Sequence, residues 1–88
     1  MSAPLQVEIV TPRRVVWSGM ATAVRAPGSE GEFGVLPRHI AFLTTLRKGP
    51  LSVTTAEGTK KWTIGAGFCE AGPTRVVVLT EVCEEAGG

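Results

Sequence analysis

Leu5, Val7 and Ile9 alternate with Gln6 and Glu8, the period-two pattern of a strand with one buried face. The same texture continues along the chain. Short β-branched and aromatic runs, cut by Gly, Pro and polar turn residues at intervals of about 8–12 positions, predict an all-β sandwich or barrel. Thr11-Pro12-Arg13-Arg14 reads as a turn, with proline presetting the backbone angle at its entry. Val15 to Ser18 follows as a strand, Gly19 as a break or bulge, and Met20 to Ala26 as a third strand with Met20, Thr22 and Val24 on one side. Pro27 to Glu32 reads as a loop and Phe33 to Leu36 as a short strand.

Two hairpins follow. Leu51 to Thr55 and Lys60 to Ile64 flank Ala56-Glu57-Gly58-Thr59, and Phe68 to Ala71 and Arg75 to Val82 flank Gly72-Pro73-Thr74. Val76-Val77-Val78-Leu79 is apolar throughout and predicts a central strand covered on both faces. Ile40, Leu43 and Leu46 recur every third position, which admits a turn or two of helix. The β-branched Thr44-Thr45 and the abrupt Gly49-Pro50 favour a bent strand there. No other window has the periodicity of an amphipathic helix. Glu84 to Gly88 reads as a polar, frayed tail.

Length and charge narrow the function classes. With 88 residues the chain is one domain at most. A chain of that size buries only about 60–65% of its unfolded surface, so a partner surface is expected to complete the working structure. The formal net charge is +1, which argues against a nucleic-acid module and a polybasic membrane anchor. The start, Met1-Ser2-Ala3-Pro4, has no basic region leading into a signal-length apolar stretch, and the apolar run after Arg13-Arg14 breaks at Ser18-Gly19. The longest purely apolar run, Val76 to Leu79, is far short of the roughly 20 residues of a membrane helix. Cys69 and Cys83 have no zinc-like spacing, and a turn at Gly72-Pro73 would set Cys69 against the Val76–Val78 region, too far from Cys83 to bridge.

Candidate chemistry is sparse. Gly28, Gly31 and Gly34 recur every third residue but lack the Lys-Ser/Thr ending and following helix of a phosphate loop, so a tight exposed turn needing positive φ is the stronger reading. Glu30 and Glu32 sit among Gly and Ser, where solvation argues against acid–base catalysis and an exposed acidic loop facing a partner is the better functional reading. His39, the only histidine, lacks the co-ligands of a metal site and the partners of a catalytic triad. Lys60-Lys61 lies beside a hairpin tip and resembles a biotinyl or lipoyl carrier lysine only in outline, because carriers place the lysine at the tip itself. Trp17, Trp62, Phe33, Phe42 and Phe68 lack a basic groove for stacking bases and read as core residues. No catalytic residue, cofactor site or metal site is expected.

The run Ala26-Pro27-Gly28-Ser29-Glu30-Gly31-Glu32-Phe33-Gly34-Val35-Leu36-Pro37-Arg38-His39 resembles the signature of the epsilon subunit of F-type ATP synthases (delta in mitochondria), an APG-x-x-GE-[LF]-G-[IV]-LP-G-H pattern followed by a Leu/Thr-rich segment, here Phe42 to Gly49. Glu8-Ile9-Val10-Thr11-Pro12 with Ser18-Gly19 resembles the family's start. Gly65 to Glu70 and Arg75 to Glu81 resemble its close. Arg38 departs from the usual glycine, and Ile40-Ala41 from Ala-Pro.

The resemblance implies a small two-sheet β-sandwich of about 8–10 short, mainly antiparallel strands, with the sandwich over residues 1–83, a polar tail over 84–88 and the family's C-terminal helical hairpin absent. It implies a non-catalytic rotor subunit that clamps the gamma subunit, sits on the c-ring and couples ring rotation to ATP synthesis without an inhibitory hairpin or ATP binding. Ser29, Glu30 and Glu32 should then face the c-ring, and Thr11, His39 and Thr44 the gamma subunit. One exposed acidic contact is worth only about 0–1 kcal/mol, so an interface of roughly 1,200–2,000 Å² is expected. The implied location is peripheral, on the cytoplasmic face of a bacterial inner membrane, with no nucleic acid and no small-molecule substrate. The alternative is a free-standing sandwich or barrel binding module, carrier-like or oligonucleotide-binding.

Overall fold

The computed structural model describes residues 4–38 and 40–86 and contains ten strands: β1 Leu5–Val10, β2 Val15–Ala21, β3 Ala23–Gly28, β4 Gly31–Val35, β5 Phe42–Leu46, β6 Gly49–Thr55, β7 Gly58–Ile64, β8 Gly67–Ala71, β9 Arg75–Thr80 and β10 Cys83–Glu85. They hydrogen-bond in the order β10-β7-β6-β3-β5-β8-β9-β1-β2, with β4 on the other edge of β3. All pairs are antiparallel except β1 with β9. The expected all-β sandwich is therefore present, with its two layers joined at one corner. Ala23–Arg25 of β3 pair with β6, whereas Gly28 alone pairs with Leu46 of β5. That single-residue joint lets the sheet fold over on itself, so β10-β7-β6-β3-β4 lies against β5-β8-β9-β1-β2.

Alternation fills the space between the layers. Leu5, Val7 and Ile9 of β1, Val76 and Val78 of β9, and Cys69 of β8 point inward from one layer, and Val24, Val35, Leu51, Val53 and Ile64 from the other; all are essentially fully buried. Completely burying an aliphatic side chain of this size stabilises by about 1.5–3 kcal/mol, and these layers are the main source of stability in so small a domain. Trp17 and Trp62 meet across the layers with ring centroids 5.9 Å apart and tilted 51°. Phe33 and Phe42 meet edge-on at 5.6 Å. Tilted and edge-on pairs suit the ring quadrupoles.

Four features depart from the sequence reading. Strand β2 runs straight through Gly19, and the irregularity falls between Ile9 and Val10 of β1 instead. The chain changes layer at Thr22, whose N–H donates to the Thr54 carbonyl at 2.8 Å. The Val76–Leu79 run is central in pairing but covered on one face only: Val76 and Val78 are buried, Val77 is half-buried and Leu79 is 46% exposed. An unbroken apolar run signals two covered faces only when something packs on the second, and nothing among the described residues does. Glu84 and Glu85, read as the start of a frayed tail, continue with Cys83 as a strand on β7, because Ile64, Thr63 and Trp62 leave an open edge that the three fill. The disputed Ile40–Leu46 segment is a strand over Phe42–Leu46.

Two residues were invisible as structural pins. Buried Thr80 accepts from the Gly65 N–H at 3.1 Å and has the Val82 carbonyl at 2.9 Å, tying the β7–β8 connection to the end of β9. At Gly67 the Leu79 carbonyl would lie 1.9 Å from any added Cβ, so only glycine lets β8 approach β9 there.

Both cysteines are free, as their positions on β8 and β10 require. Cys69 pairs with Val78, as the turn at Gly72-Pro73 implied. Burial pushes the Cys69 thiol up to about 11 from 9.0. A raised thiol pKa holds the proton more tightly in the folded state, so this contribution is intact below pH 9 and is lost as pH rises through 11. Chemical unfolding should show stability falling by about 2 kcal/mol more between pH 8.5 and 11 in the wild type than in Cys69→Ala. Equal pH slopes would refute it.

Candidate functional site

The acidic run forms a hairpin tip, much tighter than the loop read from the sequence. Strands β3 and β4 pair from Val24–Val35 through Pro27–Glu32 to Gly28–Gly31, leaving only Ser29 and Glu30 unpaired. Of the three regularly spaced glycines, Gly31 alone takes positive φ, at 139°. Gly28 is required for a different reason: a Cβ there would meet the Gly31 carbonyl at 2.6 Å. Gly34 has neither constraint.

The tip is fastened to β5. The Ser29 N–H donates to the Thr45 carbonyl at 3.0 Å, and the Thr45 hydroxyl donates to Ser29 Oγ at 2.8 Å. The Arg47 N–H donates to the Pro27 carbonyl at 2.9 Å just behind it. Ordering is thereby achieved before any partner arrives, which removes part of the entropic cost of binding.

The two acids are not equivalent. Glu32 is ion-paired with the Arg25 guanidinium across the hairpin, both groups being largely exposed. Arg25 pairs with Gly34, so Glu32 is its diagonal neighbour on the adjacent strand. Glu30 stands exposed at the apex with no ion pair among the described residues. The free negative charge at the tip is therefore that of Glu30.

Thr44 joins this group. With Glu30, Glu32, Phe33 and Phe42 it lines a shallow hollow of about 330 Å³. Thr11 is elsewhere: it closes the β1–β2 turn, its N–H donating to the Arg14 carbonyl at 2.9 Å, and lines a separate hollow with Phe68 and Leu79. His39 lies outside the described residues. Thus Ser29, Glu30, Glu32 and Thr44 come together, and Thr11 does not join them.

Arg38 has φ of 68°, and its N–H donates to the Pro73 carbonyl at 2.7 Å. This left-handed backbone explains why glycine suits the position. Lys60 and Lys61 lie within β7, beyond the Thr55–Gly58 turn, so neither stands at a tip as a carrier lysine does. Among the described residues no cluster of metal-ligating groups occurs.

The family model for the ATP synthase delta/epsilon chain β-sandwich domain matches residues 4–86. The chain belongs to that family. Among delta/epsilon relatives, the ATP synthase epsilon chain of Caulobacter vibrioides is 43% identical over 84 residues, covering 96% of this chain and 98% of its own. That of Syntrophobacter fumaroxidans is 44% identical over 87 residues, covering 99% of this chain and 65% of its own. The chain thus spans nearly all of the first relative and slightly under two thirds of the second. A chain in the Euglena gracilis mitochondrial ATP synthase (OSCP/F1/c-ring) superposes with a TM-score of 0.88 at 22% identity, over 97% of this chain and 55% of that one, a likeness of fold. The delta/epsilon sandwich is therefore built here with its acidic tip preformed.

Sequence reasoning missed Arg25 and Thr45. Arg25 was findable, since a two-residue tip at Ser29-Glu30 sets it diagonal to Glu32. Thr45 was not, because its bond to Ser29 spans two strands that are not sequence neighbours. Thr45→Val should remove the side-chain clasp, costing about 0.5–1.5 kcal/mol and speeding amide exchange at Ser29 to Gly31 several-fold; unchanged exchange would show that the tip is held otherwise. Arg38→Gly should relieve the left-handed strain and raise the melting temperature by about 2–5 °C, net of glycine's greater unfolded-state entropy, with an unchanged or lower value counting against strain at Arg38.

Proposed function

We propose that this chain is the non-catalytic epsilon-type subunit of an F-type ATP synthase, riding on the rotor at the membrane periphery. Its work is mechanical: it joins the ring turned by ion transport to the stalk that drives ATP synthesis. The observation that carries the reading is the match of residues 4–86 to the delta/epsilon sandwich, with relatives named ATP synthase epsilon chain at over 40% identity across almost the whole chain. The protein's chemistry agrees. Its core is almost wholly apolar, with Thr80 the one buried polar residue among those described, and its charged groups are exposed or at the rim.

The finer reading assigns faces. The preformed tip, Ser29-Glu30 with Glu32 behind it, meets the polar loops of the c-ring. Glu30 supplies the free charge and Glu32, balanced by Arg25, keeps the hairpin in shape. Thr11, His39 and Thr44 belong to the gamma-facing side. The grouping of Thr44 with the tip supports a gamma contact that adjoins the ring contact, with Thr11 marking a separate part of the same partner's footprint. The complex would hold the chain at the cytoplasmic face of a bacterial inner membrane.

In the assembled synthase, Glu30→Cys should form a disulfide with a cysteine placed in the c-ring loop, under mild oxidation and in high yield. Absence of that crosslink, with the subunit present at full occupancy, would contradict the ring-facing assignment.

A further inference from the structure

The sandwich is open along the side opposite the β3 corner, where the strand order ends at β2 and at β10. Among the described residues β2 pairs only with β1, and β10 covers only Ile64 to Trp62 of β7. The last bond on that side runs from the Ala86 N–H to the Lys61 carbonyl at 3.0 Å. Between the two ends lies a hollow of about 660 Å³, with Arg14 and Trp17 on one side and Lys60, Lys61, Trp62 and Glu85 on the other.

The two tryptophans form its floor. A Cβ at Gly19 would lie 2.9 Å from the Trp17 ring, so glycine there lets the indole fold back along β2. Arg14, Lys60 and Lys61 are exposed, and none is ion-paired among the described residues. Three cations thus share the hollow with one acid, Glu85, in a chain whose totals are 9 and 8. The basic groove that the tryptophans lack in the sequence is assembled by the fold. Stacked bases are a poor occupant, because Trp62 is only 6% exposed and has no ring face to offer.

Strand β2 supplies the second observation. Sheet edges are normally blunted by lysine, proline or an inward charge. Edge strand β4 carries Glu32, and β10 is three residues long with Glu84 and Glu85. Val15 to Ala21 of β2 contain no charge and no proline. Their one irregularity is the register shift opposite Ile9 and Val10, at one end. Seven residues span about 23 Å, and along that length alternate N–H and C=O groups face outward. A strand added at the usual spacing of about 4.8 Å would lie over the hollow and send every second side chain toward its cations. Carboxylates at those positions complement Arg14, Lys60 and Lys61, whereas basic side chains would be repelled.

We infer that the free edge of β2 takes an extended acidic protein segment as an added strand, its alternate carboxylates meeting Arg14, Lys60 and Lys61. Backbone pairing supplies the grip and the cationic rim selects the sequence. The site is a sheet edge, separate from the ring-facing tip, and the inference stands independently of the rotor reading.

The test is an NMR titration of the full 88-residue chain with the synthetic peptide acetyl-Glu-Val-Glu-Val-Glu-Val-Glu-amide. Amides of Val15 to Gly19 should shift and exchange with solvent several-fold more slowly, and the indole signals of Trp17 and Trp62, the only tryptophans, should move with them. The same peptide with Gln for every Glu should bind at least about tenfold more weakly. Lys60→Gln with Lys61→Gln should weaken binding about threefold, and Arg14→Gln added to them about tenfold in all. Lys48→Gln, on the β5–β6 connection, should leave it within about twofold. All four positions are exposed, and melting temperatures identify any variant whose fold has failed. No shift along β2 up to about 5 mM peptide overturns the inference. Equal binding of the Gln peptide, or shifts confined to another edge, overturns it too. Self-association through β2 without peptide would make a second copy the occupant, and tryptophan shifts with oligothymidylate alone would make it a nucleic acid; either result overturns the inference.

Discussion

Strand β3 has two edges and three neighbours, and the rest of the structure depends on how it divides them. One edge goes entirely to β4. The other goes to β6 at Ala23–Arg25 and then, at Gly28, to β5. A strand cannot follow both β6 and β5 along its length, so the sheet must turn there, and the turn creates two layers with the core between them. The same residue ends the β3–β4 hairpin. The corner that closes the fold therefore also projects the Ser29-Glu30 tip and brings Thr45 within reach to hold it.

This coupling explains why a small domain can present a rigid acidic point. The tip hangs on the corner through two backbone bonds, Ser29 to Thr45 and Arg47 to Pro27, and one side-chain bond. Loosening it would disturb the joint between layers, which the buried Leu46 and Ala26 help to pack. The preformed tip suits a part that must transmit force, since a contact that reorders on every load would dissipate it. Binding strength has to come from elsewhere, because one exposed carboxylate contributes little by itself.

Much of this was legible in the residues. The alternation of Leu5, Val7 and Ile9, the two later hairpins and the Ala26–His39 signature were enough for the fold and for the family. What stayed hidden depended on non-local pairing. The Val76–Leu79 run looked doubly buried because four apolar residues carry no mark of which face lacks a cover. Gly19 looked like a bulge because glycine signals flexibility, whereas the register shift fell at Ile9–Val10, where nothing in the local sequence announces it. Glu84 and Glu85 looked like tail because charged residues on an edge strand read as solvent-exposed whether or not they are paired. Arg25 and Thr45 matter only once the strands are in register, and the glycine usual at position 38 acquires a cause only when the Arg38 backbone is seen to be left-handed.

The central claim is that this sandwich sits on the rotor, with its tip toward the membrane ring. A density map of the assembled synthase containing this chain tests it directly. The account predicts Glu30 within salt-bridge distance of a ring loop. A map with the tip in open solvent would contradict it.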